Sequence, residues 1–115
     1  MSTAERRVWI YRRADGPEPF LHWLGSLRDS RAKQKIQARI GRVRLGNLGH
    51  ARSVGEGVHE LKIDYGPGYR VYFGLNGPQI HLLLGGSKQG QSTNIRLAKK
   101  FWNARSKSRI DSSTG

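Results

Sequence analysis

HELKIDYGPGYRVYF, residues 59–73, is the stretch from which the rest of the chain can be organised. Gly66-Pro67-Gly68 separates two runs rich in β-branched and aromatic residues, the pattern of a β-hairpin. Side chains alternate across a strand. The simplest register pairs Tyr65 with Tyr69, Ile63 with Val71 and Leu61 with Phe73 on one apolar face. It pairs Asp64 with Arg70, Lys62 with Tyr72 and Glu60 with Gly74 on the other. This one register explains both sets, and a slip of one residue would bury the charges at prohibitive cost. The polar face reads as a patch on the open side of a sheet. As plain structure, an Asp64–Arg70 pair is worth only a few tenths of a kcal/mol. A Lys62 stem over Tyr72 is ordinary packing.

Working outward, QIHLLLG at 79–85 sets Ile80, Leu82 and Leu84 on one side and His81 and Leu83 on the other. With the Asn76-Gly77-Pro78 turn this predicts a three-stranded antiparallel meander over about 58–65, 69–75 and 79–85. Upstream, Val8-Trp9-Ile10-Tyr11 reads as a strand. Phe20, Trp23, Leu24 and Leu27 predict a helix over about 17–28. A second helix, capped by Asp29 or Ser30, carries Ala32, Ile36, Ile40 and Val43 as its buried stripe and stops at Gly46-Asn47. Gly41 weakens that helix by roughly 1 kcal/mol relative to Ala, which points to close packing there. Residues 48–57 read as a loop. Ile95, Ala98, Phe101 and Trp102 share one face of a last helix at about 92–105. The expectation is one α+β domain over 1–105, in β-α-α-β-β-β-α order, with a helical hairpin packed on a small antiparallel sheet. Residues 106–115 read as a flexible polar tail.

The 115 residues carry 21 Lys+Arg against 8 Asp+Glu, a net charge of +13 that favours an anionic partner. Residues 31–52 hold Arg31, Lys33, Lys35, Arg39, Arg42, Arg44 and Arg52 and no acid. A basic helix face is often merely solvated, but without interleaved acids it repels itself. Cysteine is absent, which excludes disulfides and thiolate metal sites. No apolar run suggests a signal peptide or membrane span, so a cytoplasmic protein without membrane contact is expected. His22, His50, His59 and His81 show no metal-ligand spacing, and His59 and His81 fit partly buried packing roles. GGSKQGQS lacks the phosphate-loop pattern. Trp9 and Trp102 read as core.

VGEGVHELKIDYGPGYRVYF, followed by LLLGGSKQGQSTNIRLAKKFW, resembles the RelE/ParE toxin superfamily, in particular its phage-derived, HigB-like addiction-module killer branch. PFLHWLGSLRD and ARIGRVRLGNLG extend the resemblance over nearly the whole chain, and the order of elements is that of the RelE-like fold. The resemblance implies a type II toxin, neutralised by a cognate antitoxin, that enters the ribosome and cleaves mRNA without metal or cofactor. The RNA's own 2′-OH attacks the neighbouring phosphate. A heterotetramer with the antitoxin is among the assemblies it allows.

Carried onto this chain, the resemblance makes Lys62 a proton acceptor or phosphate contact. It makes Arg70, in Gly-Tyr-Arg, the grip on the scissile phosphate, and Lys88 the group that stabilises charge or protonates the leaving oxygen. Glu60 stands where RelE has lysine; an acid is usual there in the killer branch, which makes Glu60 a candidate base. RelE's C-terminal tyrosine has no counterpart, since no Tyr follows Tyr72, and Asn94-Ile95 replaces the branch's usual Asp-Ile. Tyr72, Gln91, Arg39, Arg42 and Arg44 are the expected RNA contacts, with Tyr72 stacking on a base. Two other functions stay open: a ParE-like DNA gyrase poison without nuclease activity, and a non-catalytic basic RNA-binding module.

Overall fold

The computed structural model describes residues 5–49 and 51–114, with side chains described as far as Arg105. Strand β1 (Arg7–Ile10) leads into helices α1 (Pro19–Ser26) and α2 (Ser30–Arg44). Four strands follow: β2 (Arg52–Gly55), β3 (Val58–Ile63), β4 (Tyr69–Asn76) and β5 (Gln79–Ser87). A 3-10 turn at Lys88–Gly90 then opens helix α3 (Gln91–Thr114), which runs on through the segment expected to be a tail. The five strands form one sheet in the order β1-β5-β4-β3-β2. β1 lies parallel to β5 and the other neighbours are antiparallel.

Local chemistry explains the element ends. Pro19 opens α1, where its missing N–H costs nothing. Asp29 caps α2, its Oδ1 accepting from the backbone N–H of Arg31 (2.9 Å) and Ala32 (3.3 Å). Its other oxygen accepts from the Tyr65 hydroxyl at 3.0 Å, which ties the helical hairpin to the β3–β4 turn.

β2 departs from the expected loop. Gly55, Glu56 and Gly57 all take positive φ, at 101°, 58° and 83°, and turn the chain tightly enough to pair Arg52 with Glu60. The β3–β4 register is displaced by two residues from the simplest one. Ile63 faces Tyr69, Lys62 faces Arg70, Leu61 faces Val71 and Glu60 faces Tyr72. The turn therefore spans Asp64–Gly68. A two-residue shift preserves parity, so every residue keeps its expected face.

The sheet has a core on each side. α1 and α2 cover Leu61, Ile63, Val71, Phe73, Ile80 and Leu82. α3 covers the opposite face, burying Val58, Tyr72, Leu83 and Leu84 beneath Ala98 and Phe101. The polar face of the hairpin is thus roofed by a helix and is not open. A bulge between Tyr72 and Phe73 pairs them with Leu84 and Leu82 and leaves Leu83 as the extra residue. Leu84 thereby moves to the α3 core, away from Ile80 and Leu82. Gly41 has nothing within 4 Å of a Cβ position, so its place in α2 does not reflect close packing. Among the described residues no helix is long and apolar enough to cross a membrane.

Candidate functional site

Two rungs of the sheet place the polar side chains under the start of α3. One rung runs Arg52, Glu60, Tyr72, Leu84 from β2 to β5. The next runs Lys62, Arg70, Gly86. Positions two apart on a strand share a face, so Glu60, Lys62, Arg70 and Tyr72 converge. Gly86 supplies the space: a Cβ there would overlap the Asn94 amide, which leans over the rung from α3.

Glu60 is the centre, 3% exposed. Its Oε1 accepts from Arg52 Nε at 3.0 Å. Its Oε2 accepts from the Tyr72 hydroxyl at 3.0 Å and from Gln91 Nε2 at 2.8 Å. Burial pushes the carboxyl pKa up, but donation from Gln91, Arg52 and Tyr72 outweighs it and holds the group below the usual glutamate range. Tyr72 is pushed well above an ordinary phenol by burial and by the neighbouring carboxylate. A carboxylate so saturated with donors is a weak proton acceptor. Through these three bonds Glu60 anchors a charge cluster.

Arg70 is 5% exposed, with Nε 3.9 Å from Glu60 Oε2. Its Nε and Nη1 are buried without a hydrogen-bond partner among the described residues. A buried donor left unpaired costs about 1–3 kcal/mol, so these nitrogens are unspent binding capacity for an anion. Gly68, at φ +82°, lets the turn lie against them, and a Cβ on it would stand 3.4 Å from Nη1. The Lys88 backbone N–H donates to the Gly68 carbonyl at 2.9 Å, which brings Lys88 to the same turn.

The expected residues therefore divide. Glu60, Arg70, Tyr72 and Gln91 form one bonded cluster, and Lys62 and Lys88 flank it with exposed side chains. Tyr72 is fully buried and is not a platform for a base. Arg39, Arg42 and Arg44 belong to α2, on the other side of the sheet. Arg39 Nη1 donates to the Lys62 carbonyl at 3.0 Å, and Arg44 pairs with Glu5 at 3.6 Å. Arg52 was absent from the expected set. Its signal was the Gly-Glu-Gly turn that brings it opposite Glu60. Arg52 and Arg70 thus stand against the single carboxylate of Glu60, with Lys62 and Lys88 exposed at the flank.

The chain is 49% identical over 81 residues to an uncharacterized protein of Haemophilus influenzae, an alignment covering 70% of this chain and 82% of that one. It belongs to that protein's family. No family model and no solved structure matches the chain. The kinship extends over most of both members, so the family shares most of the domain described above.

Proposed function

We propose that the chain is the toxin of a type II toxin–antitoxin pair, of RelE-like fold, and cleaves mRNA on the ribosome. The observation that carries this is Arg70: a buried guanidinium, braced by an ionised Glu60, with two nitrogens unpaired and Lys62 and Lys88 beside it. Such an arrangement suits a phosphodiester whose negative charge grows during attack.

The 2′ oxygen bonds to phosphorus as the bond from phosphorus to the 5′ oxygen breaks. The 2′ proton passes to solvent water and the 5′ oxygen takes one from the Lys88 ammonium, giving a cyclic phosphate and a free 5′-OH. Arg70 stabilises the extra charge on the phosphoryl oxygens. Lys62 and Lys88, both exposed, hold the RNA, and Lys88 supplies the proton of the leaving oxygen. Glu60 positions Arg70 through charge and Gln91 through a hydrogen bond. Entry of the phosphate requires the turn at Gly66 and Gly68 to lift from Nη1, a movement that glycine eases. The ribosome, a cytoplasmic location and an acidic antitoxin are the partners and setting this reading requires, with the antitoxin offsetting the +13 charge.

Closure of the cluster favours a second reading, in which the chain binds DNA gyrase and cuts nothing, the charges serving structure alone. Controlled expression of wild type and Lys62→Ala separates the two. Nuclease activity predicts arrest of protein synthesis with wild type, relieved in Lys62→Ala. A DNA-damage response, equal in both, would instead support gyrase binding.

A further inference from the structure

Trp9 is 47% exposed, against the expectation that it is core. It stands on the edge strand β1, its ring stacked on His81 with centroids 6.3 Å apart and planes 13° apart. His81 is held in turn by Trp102, centroids 5.3 Å apart. One side of the indole is therefore braced while much of the residue stays open. Beside it lies a shallow basin of about 500 Å³, lined by Glu5, Arg6, Arg7, Val8, Trp9 and Arg44. Glu5 is paired to Arg44 at 3.6 Å. Arg6 and Arg7 make no ion pair among the described residues; Arg6 Nη1 donates to the Gly77 carbonyl at 3.5 Å, while its Nε is buried without a hydrogen-bond partner. Arg7 shares the exposed face of β1 with Trp9, whereas Arg6 lies on the other face with Val8 and Ile10, so the basin joins an exposed indole to the unneutralised guanidinium of Arg7.

We infer that this basin binds one nucleotide of a single-stranded RNA, with the base stacked on Trp9 and the phosphate held by Arg7. Stacking accepts any base, because every base has a π face, and arginines supply the charge. A duplex does not fit the description, since its bases are already stacked on each other. The basin is distinct from the Arg70 cluster. Trp9 is level with His81, and Arg70 with Gly86. Those positions lie about 16 Å apart along β5 at roughly 3.3 Å per residue. The inference needs RNA as a ligand but not RNA cleavage, so it can hold where the nuclease reading fails.

The test is fluorescence anisotropy of a labelled single-stranded oligoribonucleotide and an RNA duplex, titrated with the full-length chain. Wild type, Trp9→Phe, Trp9→Ala and Arg7→Ala are compared over a salt series. Trp9→Ala should weaken single-strand binding about five- to 150-fold, with Trp9→Phe between it and wild type. Its salt slope should equal wild type's. Arg7→Ala should lower the slope by about 0.7, the loss of one phosphate contact on a single strand. Duplex binding should be indifferent to Trp9. Unchanged single-strand affinity in Trp9→Ala, or equal losses for single strand and duplex, would overturn the inference. Trp9-dependent binding by a protein that cleaves no RNA would uphold it and overturn the nuclease reading.

Discussion

Arg70 Nε stands 3.9 Å from Glu60 Oε2 with both residues buried, yet no hydrogen bond joins them; the donors to that carboxylate are Arg52, Tyr72 and Gln91. Glu60 compensates the charge of Arg70 without consuming its donors. Removing the carboxylate leaves an unpaired buried cation. Glu60→Ala should therefore lower the unfolding free energy by about 3–5 kcal/mol in urea titrations, and Glu60→Leu combined with Arg70→Met should recover much of it. A loss below about 1 kcal/mol in Glu60→Ala would mean the two charges are not coupled.

The same carboxylate sets an acid limb. Its folded pKa is depressed below the unfolded value of about 4.3, so its contribution is fully present above that pH. The contribution is lost as pH falls through the folded value. Thermal melts between pH 7 and pH 2 should show Glu60→Gln less stable than wild type at neutrality, with the gap narrowing in acid. A constant gap would remove Glu60 from the titration.

Tyr72 tests whether the hidden phenol serves structure or RNA. Tyr72→Phe loses a hydrogen bond to a charged acceptor and should cost about 1.5–3 kcal/mol in stability. RNA affinity, measured by anisotropy at a temperature where the variant is folded, should not change. A folded variant that binds RNA weakly would return Tyr72 to the binding surface.

Three glycines distinguish packing from backbone freedom. A Cβ at Gly85 would overlap the Trp23 ring and one at Gly74 the Trp102 ring, so alanine at either should cost about 1–3 kcal/mol. Gly41 meets nothing, and Gly41→Ala should stabilise α2 by about 0.5–1 kcal/mol. Denaturant midpoints measure all three, and a destabilised Gly41→Ala would require a neighbour absent from this structure.

Which features were legible in the sequence follows from what local chemistry specifies. The face of each hairpin residue was readable because burial enforces parity. The register was not, because a shift of two costs no face, and the choice fell to the five-residue Asp64–Gly68 turn. β2 escaped notice because Arg-Ser-Val-Gly is short, half polar and on a sheet edge. The open face was misjudged because α3 announces its own apolar stripe without saying which side of the sheet receives it. The bulge at Tyr72/Phe73 reversed Leu84, which strict alternation cannot foresee. Trp9 looked like core from its neighbours Val8 and Ile10, yet alternation on an edge strand turns it outward with Arg7.

The most direct measurement is mRNA 5′-end mapping in a cell-free translation reaction, comparing wild type with Lys62→Ala, whose exposed side chain leaves the buried cluster intact. New 5′-OH ends within codons, present only on translated messages and only with wild type, are the predicted result. Identical ends in both reactions, or inhibition with no new ends, would contradict the cleavage chemistry assigned to the Arg70 cluster.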